Sequence, residues 1–385
     1  MPTGPAGQQT VRRHNLALVL RTVAAEEPVS RAQVAERTGL ARGTVSSLVD
    51  ELLAAGVVAE LSPARGGPGR PASPLQLNRS GPAGLGVEVA VDAVAACVVD
   101  LAGTVRARRR IASGHRSDPP AAALAPLARL AAEVVAQTPD LRVAGVAVAV
   151  PGVIGPAGVL ERAPNLPGWH DVDVAVEVGA ALAPVVGPVP VTAGNEADLA
   201  ALAERAAGSA GPDFLHVSGG IGVGAGIVLG GRPFHGAGGR AGELGHVVVD
   251  PDGPPCSCGG RGCLEQTAGV EVVLRAAGAA DLDALVTATA AGDARACAAV
   301  VAAGRALGVA LAGAVNLLDV PAVVLGGAYP RLGGTLAAAV NDEIAQRVVW
   351  RSPVAVHLST LGGDAAVRGA ALSVVKALVD GAPGT

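Results

Sequence analysis

The stretch at 255 to 265, PCSCGGRGCLE, sets Cys256, Cys258 and Cys263 around a glycine-rich turn, a spacing that folds three thiolates onto one metal ion. Upstream, His246 closes the run GELGH at 242 to 246 and is the nearest fourth ligand. Three thiolates and an imidazole make the closed tetrahedral set that zinc takes in structural sites, and four protein ligands leave no open position for a reacting water. The alternative is three buried or redox-active thiols. Five cysteines in 385 residues do not make a disulfide framework, and Cys97 and Cys297 fall in apolar runs that read as core.

Around this loop stand Glu243, His246 and Glu265, and NEADLAALAE at 195 to 204 places Asn195 and Glu196 at the entrance of a helix. Carboxylates, an amide and an imidazole brought to one cleft match the vicinal hydroxyls of a polyol, which donate to carboxylates and accept from N–H groups. Taken singly, each residue reads as a helix cap or a surface acid, Asn195 above all. Their grouping is what points to a site. The run SGGIGVGAG at 218 to 226 is compatible with a phosphate cradle, but such runs more often mark tight turns between strands.

Toward the N-terminus the pattern changes. Val11, Leu16, Leu18, Val19 and Val23 recur at helical spacing over 11 to 25, before Glu26-Glu27-Pro28 stops the helix. Ser30 with Gln33 has the capping-box form and opens a short helix that Gly39 ends. A third helix runs from 41 to 55 with Val45, Leu48, Val49, Leu52 and Leu53 on one side. Val57, Val58 and Leu61, then SPARGGPGRPASP, then Leu75 and Leu77 read as two strands around a loop, the wing of a winged helix-turn-helix. Arg42, Thr44, Ser46 and Ser47 near the start of the third helix are of the types that read base edges and phosphates in a major groove. Arg65 and Arg70 in the wing loop suit a minor groove or phosphates. Residues 1 to 80 hold nine arginines against six acids, whereas 81 to 385 hold 20 basic against 27 acidic side chains. A small polyanion-facing module joined to an acidic body follows, with double-stranded DNA as its partner.

The body reads as α/β. Apolar runs at 85 to 91, 94 to 99 and 104 to 111 form a meander. A helix near 120 to 136 and a buried strand at 143 to 150 come next. Helices at 196 to 207, 267 to 277, 294 to 318, 333 to 347 and 364 to 379 then alternate with strands at 213 to 218, 224 to 229 and 322 to 325. Half the residues are hydrophobic and 16% are charged, which excludes a disordered chain. Five aromatic residues leave little for recognition by ring stacking. The apolar run 16 to 20 is too short for an export signal, and the long one at 296 to 318 carries Arg305 at its middle, so a cytoplasmic protein with no membrane span is expected.

With these motifs identified, the sequence resembles the ROK family (repressors, open reading frames, sugar kinases), in its subclass of transcriptional repressors. The resemblance runs over nearly the whole chain, through GRP at 69 to 71 in the wing, APNLPGW at 163 to 169, NEADLAALAE, GGIGVGAGIVLGG at 219 to 231, GELGH and CSCGGRGCLE. It implies a winged helix-turn-helix over 1 to 80, followed over 81 to 385 by an actin-like, two-lobed body of ribonuclease-H-like halves. The small lobe would take about 81 to 190 with the helix at 364 to 379, and the large lobe about 191 to 363. It further implies zinc on His246, Cys256, Cys258 and Cys263, and a sugar in the cleft between the lobes touching Asn165, Asn195, Glu196, Glu243, His246 and Glu265. His246 would then ligate zinc through one ring nitrogen and address a sugar hydroxyl with the other.

The departures from the family pattern bear on activity. Its kinases carry Asp-x-Gly-Gly-Thr after the first strand, where glycine amides and a hydroxyl approach ATP phosphates; here the aligned residues are Glu88-Val89-Ala90-Val91-Asp92. Val91 adds bulk and Asp92 adds negative charge where a hydroxyl donor belongs, so ATP is not expected. The catalytic aspartate of the kinases is matched by Glu196, and Asp198 replaces a second asparagine. The expected function is a sugar-responsive, DNA-binding regulator, most simply a repressor, working as a homodimer or homotetramer. An ATP-dependent sugar kinase with an appended DNA-binding module is the alternative, and a DNA-binding protein whose body serves only for assembly is another.

Overall fold

The computed structural model describes residues 8–62, 73–114, 119–155, 158–348, 350 and 353–381. The chain opens with α1 (Gln8–Glu26), α2 (Arg31–Thr38) and α3 (Arg42–Ala54), then β1 (Val58–Glu60) and β2 (Leu75–Leu77), which pair antiparallel with Val58 opposite Leu77. Ser30 caps α2 through a complete capping box, and Gly39 ends it in the left-handed conformation (φ +71°). Val45, Leu48, Val49 and Leu52 of α3 pack on Leu16, Val19, Leu20 and Val23 of α1. Val11, expected on the inward face, is exposed, because the buried stripe of α1 begins only at Leu16. The connection between the two wing strands, with Arg65 and Arg70, lies outside the described residues.

The body follows as two five-stranded sheets. The first contains β3 (Pro82–Val89), β4 (Ala93–Asp100) and β5 (Val105–Ala112), the meander expected there. After α4 (Pro120–Ala136) come β6 (Arg142–Val150), the small pair β7 (Val153–Ile154) and β8 (Leu160–Arg162), α5 (Val174–Val186) and β9 (Val191–Asn195). Its strand order is β5-β4-β3-β6-β9, with β6 parallel to both β3 and β9. Because β9 hydrogen-bonds to β6, residues 191 to 195 belong to the first sheet and the chain crosses to the second lobe only after Asn195, not at about 191.

The second half consists of α6 (Glu196–Ala207), β10 (Phe214–Gly219), β11 (Val223–Leu229), β12 (Arg232–Pro233), α7 (Glu265–Ala268), α8 (Val270–Ala277), α9 (Leu282–Ala290), α10 (Ala294–Leu318), β13 (Ala322–Gly327), α11 (Tyr329–Arg347), β14 (Ala355–Leu358) and α12 (Ala365–Gly381). Its sheet runs β12-β11-β10-β13-β14. The helix expected over 267 to 277 is two helices that meet at Gly269, whose extended backbone interrupts the turn. α10 is long and apolar enough to cross a membrane, but Ala303, Leu307, Leu311 and Val315 pack it into the core of this lobe. Cys97 is buried as expected, whereas Cys297 is only half-buried.

Two helices carry the chain between the lobes. α6 leads from β9 into β10, and α12 returns from β14 to lie across the first sheet. The contact between them needs glycine: a Cβ on Gly369 would lie 1.7 Å from the Leu199 carbonyl oxygen, and one on Gly86 of β3 would lie 2.1 Å from that of Val367. Glu204 on α6, fully buried, accepts a hydrogen bond from Ser359, which follows β14. The outer side of α12 buries Val367, Ala371, Leu372 and Val375 in the same hydrophobic cluster as Leu16, Val19 and Leu20 of α1. The N-terminal module is thus mounted on the helix that crosses between the lobes.

Candidate functional site

The loop at 242 to 265 folds against β11, where Gly242 and Gly245 approach the carbonyls of Ala225 and Val223. The single turn at Leu244–His246 aims the His246 ring at the cysteines. Gly262 (φ +66°) takes the backbone so close to Asp250 that a Cβ would lie 1.5 Å from its carbonyl oxygen, which brings Cys263 back beside Cys258. Cys256 Sγ lies 3.7 Å from His246 Nδ1, Cys258 Sγ lies 3.7 Å from Cys263 Sγ, and the four donor atoms all fall within 4.8 Å of one another. A tetrahedron with zinc–sulfur bonds of ~2.3 Å has edges of about 3.8 Å, so the donor set fits that ion. Although burial pushes the Cys256 thiol up, hydrogen bonds from Cys258, His246 and Cys263 bring it down to about 7. Burial and the neighbouring thiols push Cys263 up to about 12. The four donors could hold a metal ion.

His246 Nε2 points the other way, 3.8 Å from Glu243 Oε2, into a cleft of about 570 Å³ between the lobes. Asn165, Asn195, Glu196, Glu243, His246 and Glu265 all line it. Asn165 Nδ2 and Glu265 Oε2 converge on Gly222, where a Cβ would lie 2.9 and 2.4 Å from them. Glu265 is buried and accepts from the Val223 amide at 3.3 Å. Asn195 is the N-cap of α6: its Oδ1 accepts from the Ala197 and Asp198 amides at 2.8 and 3.3 Å, and its Nδ2 donates to the Gly152 carbonyl at 2.9 Å. Most of its hydrogen-bonding capacity is therefore spent on positioning α6, leaving one N–H for the cleft. Glu196, the next residue, has Oε2 buried without a partner among the described residues, and burial, reinforced by Glu88, Glu243 and Asp198, lifts its carboxyl to about 8 against an opposing backbone hydrogen bond. Burial also raises Glu243, with His246 opposing.

The cleft is also lined by Val91 and Asp92 and by an ion pair that sequence analysis does not anticipate. Arg110 on β5 reaches Glu88 on β3 with Nη1–Oε2 2.9 Å and Nη2–Oε1 3.4 Å, and also donates to the Gly363 carbonyl at 2.9 Å. Burial raises Glu88 even beside this guanidinium. In the sequence, Arg110 is one of four arginines at 106 to 110, inside the run 104 to 111 that reads only as a strand of the meander. The pair Asp198–His235 was missed as well: His235 Nδ1 lies 2.8 Å from Asp198 Oδ2, a bond that raises the imidazole above its ordinary value. No local motif joins residues 37 positions apart.

On the N-terminal module Arg42, Thr44 and Ser47 stand exposed along the first turns of α3. Ser46 is half-buried and accepts from Arg31 Nη1 at 3.1 Å, while Arg31 is held by Asp50 and Glu60 at 2.7 and 2.9 Å. This network braces α2 against α3 and turns Ser46 away from the open face.

Comparison with known proteins places two family models on the chain: ROK family over residues 84–377 and MarR family over residues 17–67. The xylose repressor of Bacillus subtilis (strain 168) is 27% identical over 388 residues, spanning 97% of this chain and 98% of its own. Among solved structures, a ROK family transcriptional regulator described as a homolog of the E. coli MLC protein superposes with a TM-score of 0.78 at 26% identity, covering 96% of this chain and 97% of that one. A ROK family glucokinase from Streptomyces griseus, in complex with glucose and AMPPNP, superposes with a TM-score of 0.64 at 26% identity, covering 76% and 98%. It lacks a counterpart for about a quarter of this chain, whereas the regulator spans nearly all of it.

Proposed function

The chain belongs to the ROK family, and we propose that it is a sugar-responsive transcriptional repressor that has kept a sugar pocket and set aside phosphoryl transfer. The observation that carries this reading is the lining of the cleft. Asn165, Glu196, Glu243, His246 and Glu265 offer hydrogen-bonding groups to hydroxyls, while the stretch that would approach phosphates holds Glu88 paired with Arg110, then Val91 and Asp92. The valine side chain and the Asp92 carboxylate oppose the approach of a triphosphate. The xylose repressor and the ROK regulator, each matched over nearly their whole length, favour a regulator.

We divide the chain into a DNA-binding module over 1 to 80 and a body over 81 to 385, with the small lobe ending after Asn195 and regaining the chain at α12. Zinc on His246, Cys256, Cys258 and Cys263 would be structural. Bound there, it would fix the tautomer and orientation of His246, so that Nε2 faces a sugar hydroxyl beside Glu243. Arg42, Thr44 and Ser47 are the proposed DNA contacts on α3, with Arg65 and Arg70 on the wing loop. The chain acts in the cytoplasm, where its thiols stay reduced and operator DNA is at hand. It works as a homodimer or homotetramer whose recognition helices must sit one duplex turn, about 34 to 36 Å, or a multiple of it apart. A sugar that binds the closed lobes better than the open ones shifts that spacing and weakens operator binding.

The kinase reading has the matching glucokinase fold in its favour. A coupled ADP-release assay over common hexoses, pentoses and amino sugars tests it. We expect zinc-loaded protein to turn over no faster than a Glu196→Ala control; turnover well above that control would make the chain an enzyme.

A further inference from the structure

Resting on the sugar pocket proposed above, we infer that residues 235 to 242 form a strap that latches the two lobes together through Arg240 and Glu161, and that this latch sets how much sugar is needed to hold the cleft closed. The strap follows β12 and is fixed at its base. Just ahead of it the Phe234 amide donates to the Ile227 carbonyl at 2.8 Å, and at its far end the Gly242 carbonyl accepts from the Ala225 amide at 3.2 Å, so both ends are tied to β11. The Ala241 amide donates to the His235 carbonyl at 3.1 Å and ties the ends to each other. His235 Nδ1 adds a fourth tie, 2.8 Å from Asp198 Oδ2 on α6. The tip reaches the other lobe. Gly239 (φ +70°) passes so close to β7 that a Cβ would lie 2.9 Å from the Ile154 carbonyl oxygen, and Arg240 Nη2 donates to Glu161 Oε2 on β8 at 2.6 Å. β7 packs beside β9 of the first sheet, whereas β11 and β12 belong to the second.

A strap held this firmly moves with the second sheet, so parting the lobes breaks its contact with β7 and β8. The Arg240–Glu161 pair therefore favours the closed arrangement and contributes nothing to the open one, which shifts the balance between them before sugar arrives. Apparent affinity for a ligand of the closed form scales with the closed fraction. The two side chains are 61% and 38% exposed. A pair at that exposure is worth a factor of roughly two to five in an equilibrium, enough to tune a threshold and too little to hold the cleft shut alone. Neither Arg240 nor Glu161 lines the cleft, whereas Gly239, Ala241 and Gly242 of the strap do, as do Val153 and Arg162 of the β7–β8 pair. A change of charge at the pair thus reaches the sugar through the latch and not through lost contacts.

The test is calorimetry on the full-length, zinc-loaded protein with a panel of neutral pentoses and hexoses, D-xylose and D-glucose among them, at about 0.05 and about 0.5 M NaCl, a range over which exposed charges become screened. We expect Arg240→Glu, which sets two carboxylates face to face, to weaken the tightest-binding sugar by about fivefold or more at low salt. Adding Glu161→Arg to that variant should bring affinity back to within about twofold, because the exchanged charges attract again. Salt should weaken binding to the unaltered protein and strengthen binding to Arg240→Glu, an inversion that a merely structural role would not produce. The sugar concentration that halves operator binding should rise by the same factor as the dissociation constant. Unchanged affinity in Arg240→Glu, a loss that Glu161→Arg does not restore, or a salt response of one sign in both proteins overturns the inference and leaves the sugar pocket standing. If no sugar of the panel binds, the pocket reading falls, and hydrogen exchange without ligand judges the latch itself. Arg240→Glu should then speed exchange both at 235 to 242 and at 153 to 162; acceleration confined to the strap overturns it.

Discussion

Glu196 is the residue at which function and stability pull apart. Its carboxyl is raised to about 8 by burial, so the folded protein holds a proton there that the unfolded chain releases above its ordinary value near 4.5. Stability from this group is full below about 4.5 and falls as pH rises toward 8. Glu196→Gln removes that loss, and we expect it to raise the free energy of urea unfolding at pH 8 by about 2 to 4 kcal/mol while weakening sugar binding. His216 acts in the opposite sense. It is fully buried, both ring nitrogens are unpartnered among the described residues, and burial lowers it to about 4. The unfolded state therefore takes up the proton first as pH falls below about 6.5, and stability drops from there toward 4. His216→Phe should flatten that acid limb, and unfolding curves between pH 4 and 8 check both residues. At the metal loop Cys258→Ser should lose bound zinc, lower the melting temperature and weaken sugar binding through a freed His246. Retention of one zinc per chain with full affinity would remove Cys258 from the ligand set. For Arg42→Ala, we expect weaker operator binding and, if it touches a phosphate, a salt slope smaller by about 0.9.

At the scale of elements the close contact between α6 and α12 is one that a single substitution can probe. Gly369→Ala would drive a methyl group into the Leu199 carbonyl, so we expect a loss of about 1 to 3 kcal/mol or more in urea unfolding. An unchanged midpoint would show that the two helices part without cost. This contact was not legible in the sequence, because it joins residues 369 and 199 through backbone shape, not through a motif. What was legible had local causes. The capping box at Ser30, the left-handed Gly39 and the apolar stripe of α3 declare the N-terminal helices within a few residues of their ends. The cysteine loop declares itself by spacing. The cleft-lining residues are legible as a group because helix starts and turns mark them, whereas Arg110 and His235 are hidden: each finds its acid partner, Glu88 or Asp198, only after strands and loops from distant positions are laid side by side. The strand β9 and the short helices α5 and α9 carry weak periodicity, and packing decides them, against the first sheet for β9 and α5 and against α8, α10 and α11 for α9.

Across the whole molecule, the cleft and the DNA-reading helix are joined by a short chain of packed elements. Glu196 opens α6, α6 lies against α12, and α12 shares a hydrophobic cluster with α1, on which α3 is packed. Closure of the lobes about α6 and α12 would turn the mounting of the reader itself, which is how occupancy of a pocket could be felt at the operator. Leu372→Ala loosens the joint between α12 and α1. We expect it to leave sugar affinity within threefold and to reduce the effect of sugar on operator binding; an unaltered effect would place the coupling elsewhere. The most direct measurement is operator affinity of the full-length protein with and without a sugar that calorimetry has shown to bind, at saturating concentration. A fall of about 5- to 150-fold is the predicted result. Identical affinity with the cleft full would contradict the account.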